Sequence, residues 1–252
     1  MKSQSFLVVL CLAGLMATGC ASKQVEPISP NRVLTLDGVE GYMEIPNSAA
    51  LNPAMAMTAE MWVKVDSVTG DGENILLNKE SAYGCGIGHY AGYPPEQYFV
   101  YAILMEGGQV METNKSGWYN SKQHLALGRW YHITITYDGE WAEAYINGLL
   151  TASYPVTGPI NQTKSELQIG TRSKRKPFFH GQIDELRIWN VARTEEDIQA
   201  TMKTTLTGDE TGLIGYWNFD NGTANDLSKN GSDGMLNNGA QITDAQIPNF
   251  GR

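Results

Sequence analysis

The sequence predicts an all-β fold, a jelly-roll sandwich of two antiparallel sheets with one short helix near the C-terminus. Three observations predict it. From Val33 onward apolar and polar residues alternate with a period of two, turn residues recur about every ten positions, and only one segment has the pattern of a helix. Composition agrees. Of 252 residues, 42% are hydrophobic and 18% charged, which suits a packed core, and the 27 glycines are scattered as tight turns require.

The N-terminus stands outside this pattern. Residues 1–19, with Lys2 and an apolar run from Phe6 to Met16, read as a signal peptide too short to span a bilayer stably. The stretch "MATGC" resembles the bacterial lipobox, with Ala17 where Leu is usual, and this makes Cys20 the expected lipidation site. Residues 20–30, polar with two prolines, form the expected tether. The expectation is therefore an exported lipoprotein, held to the membrane at the outer membrane or cell surface. Cys11 leaves with the signal and Cys20 takes the lipid, so Cys85 is left without a disulfide partner.

The strands follow in order. "RVLTLDG", "GYMEIP", "TAEMWVKV", "NILLNK", "YFVYAILM", "WYHITITYDG", "EAYINGLLTASYP" and "ELQIGT" all read as strands. In "YHITITY", Tyr131, Ile133, Ile135 and Tyr137 share one face, while His132, Thr134 and Thr136 share the other. Asp138-Gly139 and Asn147-Gly148 supply the turns of a strand–hairpin–strand unit over 130–154. Trp62, Trp130 and Trp189 are expected in the core. The helix begins at Thr194, with Asp197 closing a capping box and Glu195 and Glu196 at the positive end of its dipole; Ile198 and Met202 share its apolar face. Beyond it, "GLIGYWNF" predicts one more strand of the same sandwich, with Trp217 and Phe219 alternating against Tyr216. The domain is expected over 31–240, with 241–252 as a tail.

The order of "LTLDGVEGYMEIPNSAALN", "MTAEMWVKV", "LGRWYHITITYDG-EWAEAYINGLL", "LQIGT" and "FFHGQIDELRIWNVARTEEDIQATM" resembles LamG-like jelly-roll domains. These belong to the concanavalin A-like lectin/glucanase superfamily, related to laminin G and pentraxin modules. The resemblance covers about residues 32–205. It implies the sandwich fold and leaves lectin, hydrolase and adhesion functions open.

The residues narrow the choice. A formal charge of −9, with no basic stripe beyond "RSKRK", argues against a nucleic-acid partner. Laminarinase-type glycosidases, which the resemblance brings into question, set their carboxylates at i, i+2 and i+4 on one strand face. Here only Glu40 and Glu44 lie four apart, with Tyr42 between them. Asp184 and Glu185, adjacent in "GQIDELRIWN", are expected to point to opposite faces, with Glu185 solvated and paired to Arg187. His89, His124, His132 and His180 show no zinc spacing, no GxSxG elbow occurs, and "GCGIG" reads as a glycine-rich strand. No catalytic residues are therefore expected. The resemblance also implies a structural calcium, for which Asp37 and Asp184 are the matching candidates. The alternative is that Asp37 shapes a turn and Asp184 accepts loop amides. Tyr90, Tyr93, Tyr98, Trp118 and Tyr119 gather near loops, where aromatic faces beside Asn and Gln suit sugar rings.

The expected function is thus a surface-anchored recognition module that binds a polysaccharide or glycoprotein without catalysis. The alternatives are an adhesion lipoprotein contacting other envelope proteins, or a laminarinase-type hydrolase.

Overall fold

The computed structural model describes residues 31–68, 73–88, 99–106, 109–111, 125–174, 176–245 and 247. In chain order the strands are β1 (Arg32–Asp37), β2 (Tyr42–Ile45), β3 (Met57–Ser67), β4 (Glu73–Lys79), β5 (Tyr83–Gly88), β6 (Phe99–Glu106), β7 (Gln109–Met111), β8 (Trp130–Tyr137), β9 (Trp141–Ile146), β10 (Leu149–Pro155), β11 (Leu167–Ile169) and β12 (His180–Trp189). The helix α1 (Glu195–Thr201) follows, then β13 (Leu213–Trp217), β14 (Met235–Asn237) and β15 (Gln241–Asp244). They form two antiparallel sheets. Sheet A runs β10-β9-β8-β3-β12-β1-β15, with β13 also on β12, and sheet B runs β14-β2-β11-β4-β5-β6-β7.

The core is the apolar filling between the sheets. Alternation puts Ile133, Ile135 and Tyr137 of β8 and Ala142, Ala144 and Ile146 of β9 into it, facing Met43, Ile45, Leu167, Ile169 and Cys85 from sheet B. Cys85 is a free thiol there, and burial pushes its pKa up to about 12, so it acts as a small apolar side chain. Trp217 and Phe219 join the same core while Tyr216 faces away, as the alternation of "GYWNF" predicts. Trp62 and Trp189 are buried as well, but outside the intersheet core, whereas Trp130 is only half-buried at the start of β8.

Strand β12 departs from simple alternation. Ile183, Leu186 and Ile188 all enter the core, although residues three apart on a regular strand face opposite ways. A bulge between Asp184 and Arg187, with Glu185 at φ +50°, makes this possible. The bulge lies where β12 changes neighbours. β1 pairs with His180–Ile183 and β13 with Leu186–Trp189, end to end along the same edge. The prediction that Asp184 and Glu185 occupy opposite faces of a regular strand is therefore corrected.

The chain beyond the helix is part of the sandwich. β13 lies in sheet A, β14 extends sheet B along β2, and β15 extends sheet A along β1. Residues 241–244, expected as tail, are thus a strand. Sequence pattern missed β14 and β15 because each is only three or four residues long, too short to show alternation, and only the neighbouring edge gives it a ladder to join.

Helix α1 starts as its sequence dictates. The Thr194 hydroxyl accepts from the Asp197 N–H, and the Asp197 carboxylate accepts from the Thr194 N–H, completing the capping box. The helix lies on the outward face of sheet A, with the β9–β10 hairpin against its side. Gly148, at φ +76°, is required there: a Cβ would come within 2.8 Å of Gln199 Cγ and 3.1 Å of Met202 Sδ.

Candidate functional site

Asp37 ends β1 and holds the turn that follows. Its Oδ1 accepts backbone N–H groups of Val39 at 2.9 Å, Glu40 at 3.1 Å and Gly41 at 2.9 Å. Burial acts to raise its pKa, but these donors outweigh it and hold the carboxylate below its usual range. Its other oxygen faces Gly239 so closely that a Cβ there would be 1.9 Å away. Asp184 sits in the notch between β1 and β13, fully buried; its Oδ1 accepts from the Glu185 N–H at 2.7 Å and its Oδ2 from the Asn31 side chain at 3.2 Å.

The ladder does not bring these two acids together. Asp37 lies opposite His180, four residues before Asp184 on β12, which is about 13 Å along the strand. A calcium ion with oxygens at roughly 2.3–2.6 Å cannot be shared across that span. Each carboxylate instead satisfies backbone or side-chain donors, as the turn-anchor alternative describes.

Glu185 is not solvated. It belongs to a charged cluster sealed between sheet A and α1. The Arg187 guanidinium donates to Glu185 Oε2 at 2.7 Å and lies 3.5 Å from Glu60 Oε1, and all three side chains are fully buried. Tyr216 Oη donates to Glu185 Oε2 at 2.8 Å, and Trp189 Nε1 donates to Glu60 Oε1 at 3.0 Å. Arg187 also donates to the carbonyls of Thr201 and Thr204, while Trp62 Nε1 donates to that of Met202. Burial opposes the charge on Arg187, but Glu60 and Glu185 outweigh it and hold the group protonated. His132 completes the cluster, its Nε2 3.7 Å from Glu60 Oε2. Burial pushes its pKa down to about 4, against the pull of Glu60, so it is neutral near pH 7. Proteins do concentrate perturbed groups at active sites, but this cluster has no opening to solvent; it fastens α1 to the sheet.

Other outward-facing polar groups lie on sheet B and on the β8–β9–β10 end of sheet A. On sheet B, Lys174 Nζ bridges Glu44 at 2.7 Å and Glu166 at 3.3 Å. Glu40 lies in the turn before β2, so the two acids spaced four apart fall in different elements and Glu44 is engaged by a lysine. On sheet A, Glu143 accepts from Tyr145 Oη at 2.6 Å and from Ser153 Oγ at 2.9 Å, two residues from the exposed Trp141. This group is not among the candidates that sequence pattern raised. The signal was present: Trp141, Glu143 and Tyr145 alternate with Ala142, Ala144 and Ile146 in "WAEAYI". Tyr90, Tyr93, Tyr98, Trp118 and Tyr119, the expected sugar contacts, lie outside the described residues, as does Cys20. Among the described residues no group of three or more His, Cys, Asp or Glu side chains is arranged to hold a metal ion.

Two facing sheets with a capped helix on one outer face are the architecture of a lectin-type sandwich, and sequence comparison agrees. The Laminin_G_3 family model, of the concanavalin A-like lectin/glucanases superfamily, matches residues 37–199, and the chain belongs to that family. Pappalysin-1 is a relative, 24% identical in Homo sapiens and 35% in Mus musculus over 194 residues. Each match covers 71% of this chain, which spans only 11% and 12% of those proteins. Among solved structures, the "putative carbohydrate binding protein" of Bacteroides ovatus superposes with a TM-score of 0.66 at 23% identity, over 88% of this chain and 62% of its own. The native heptameric SAP-like pentraxin of Limulus polyphemus gives 0.56 at 11% identity, over 86% and 97%. These likenesses establish the fold.

Proposed function

We propose that this protein is a carbohydrate-recognition module without catalytic activity, held to the cell envelope by a lipid on Cys20. Membership of the lectin/glucanase superfamily supports the sugar-binding part, and the Bacteroides ovatus protein, named for carbohydrate binding, shares the fold. One observation carries the non-catalytic part. Retaining hydrolysis needs two carboxyl groups about 5 Å apart on either side of the scissile bond. Of the two acids spaced for it here, Glu40 is in a turn and Glu44 is bound to Lys174. The aromatic residues of the 89–120 region, Tyr90, Tyr93, Tyr98, Trp118 and Tyr119, remain proposed contacts with the sugar.

The test is a glycan array probed with the mature chain, run beside a reducing-end assay on the glycans retained. Retention without release of reducing ends is expected. Sustained turnover of a β-glucan, abolished by Glu40→Gln or Glu44→Gln, would overturn the reading. A second reading, adhesion to an envelope protein, is favoured by Leu149 and Leu150, which stand exposed on β10 at the edge of sheet A. Retention on no glycan, with capture of a purified envelope protein, would favour it.

A further inference from the structure

Strand β9 divides its residues between two environments. Ala142, Ala144 and Ile146 enter the core, so Trp141, Glu143 and Tyr145 face outward on sheet A. Tyr145 is 4% exposed, whereas Trp141 is 45% exposed at the far end of the row. Glu143 lies between them, half-buried, with one hydroxyl donor on each oxygen: Tyr145 Oη on Oε2 and Ser153 Oγ on Oε1. The register sets Ser153 of β10 and Thr136 of β8 on either side of Glu143, and Pro155 beside Trp141. Met55, also exposed, reaches the Gly139 turn that leads into Trp141.

An indole left open to water beside an oriented carboxylate is poor economy for a fold but apt for a sugar. A pyranose or furanose ring has an apolar C–H face and a rim of hydroxyls. Trp141 and Glu143 are two residues apart on one face, about 7 Å between Cα atoms, so a ring stacked on the indole carries its rim to the carboxylate. Each Glu143 oxygen has accepted one donor and keeps a lone pair for a sugar hydroxyl. The two protein donors fix the carboxylate's rotamer in advance, which lowers the ordering cost of binding.

We propose that Trp141, Glu143 and Ser153 form a sugar-binding platform on the outward face of sheet A that takes neutral glycans. The platform rests on the carbohydrate-recognition reading and gives it a place, separate from the 89–120 loops, and a ligand class. Neutrality follows from Glu143 itself and from the chain's formal charge of −9, which repel uronate and sulfate groups.

Affinity gel electrophoresis of the mature chain tests this, with a β-glucan, a mannan, an arabinan and a galactan as probes and polygalacturonate as the anionic control. Wild type should be retarded by at least one neutral polymer and not by polygalacturonate. Trp141→Ala should weaken that retardation about tenfold, the equivalent of losing roughly 1.4 kcal/mol, and Glu143→Gln should weaken it less. Both variants should keep the wild-type melting temperature, since Trp141 lies outside the core. Retardation that survives Trp141→Ala and Glu143→Gln but is lost in Trp118→Ala overturns the platform and leaves carbohydrate recognition standing. Retardation by polygalacturonate alone overturns the neutral class. No retardation of wild type by any polymer overturns the recognition reading together with the platform.

Discussion

At His132 burial and the Glu60 charge pull in opposite directions, and burial, joined by the Arg187 and Arg193 charges, wins. The imidazole is fully buried among Glu60, Arg187 and the Trp62 ring, with Arg193 nearby on the side of α1, and its pKa falls to about 4. Its folded pKa lies below the unfolded value near 6.5, so the unfolded chain binds the extra proton first as pH falls. Stability should therefore be lost progressively from about pH 6.5 down to about pH 4. Melting temperatures across that window should decline in wild type and decline less in His132→Gln, which cannot take up the proton. An identical slope in both would show that another group carries it. The buried triad of Glu60, Glu185 and Arg187 makes the same point about charge: both carboxylates pair with the Arg187 guanidinium, which also donates to the carbonyls of Thr201 and Thr204, and this holds the triad although Glu60 Oε2 and Arg187 Nε make no hydrogen bond.

Helix α1 depends on the sheet as much as on its own sequence. It has two turns, too few to persist alone in water, and no basic residue in its last turn. Arg187 supplies the missing positive charge from β12, donating to the carbonyls of Thr201 and Thr204. At the other end Thr194→Ala should cost about 1 kcal/mol by removing the cap. Hydrogen exchange would show this as faster exchange of the first-turn amides, with the β3 and β8 amides unchanged. The start of this helix was legible in sequence because the capping box is local. The strands were legible because alternation is local too. The bulge in β12 left only an indirect mark, the three-residue spacing from Ile183 to Leu186, and its cause lies in two strands, β1 and β13, far apart in sequence. The fate of Glu185 was illegible for the same reason: a carboxylate in a strand reads as solvated until a helix covers it. The separation of Asp37 from Asp184 likewise follows from strand register, which neither residue's neighbours reveal.

For the molecule as a whole, the segment after the matched family region, residues 37–199, is structural. It supplies Trp217 and Phe219 to the core and a strand to the outer edge of each sheet. A chain ending at Gly212 should fail to give soluble, cooperatively melting protein, because it exposes the core under Trp217 and uncovers the β1 and β2 edges. A chain ending at Gly234 keeps β13 and should fold with a lowered melting temperature. Equal melting of the Gly234 truncation and the full chain would show that β14 and β15 add nothing to stability.

The pairing of β1 with β15 has a bearing on how the protein stands at a surface. Arg32 opens the first strand and Asp244 closes the last, joined at 3.2 Å, so the chain enters and leaves the sandwich at one border. Trp141 belongs to β9, four strands from β1 in sheet A, which is about 19 Å across the sheet. With the lipid proposed at Cys20, the ten residues 21–30 can span at most about 35 Å, and they deliver the membrane to the β1 border. Were Cys20 lipidated, the indole would stand on the side of sheet A away from the anchored border. A protein fused after β15 would be carried at that border, against the lipid, and would leave the far side unobstructed.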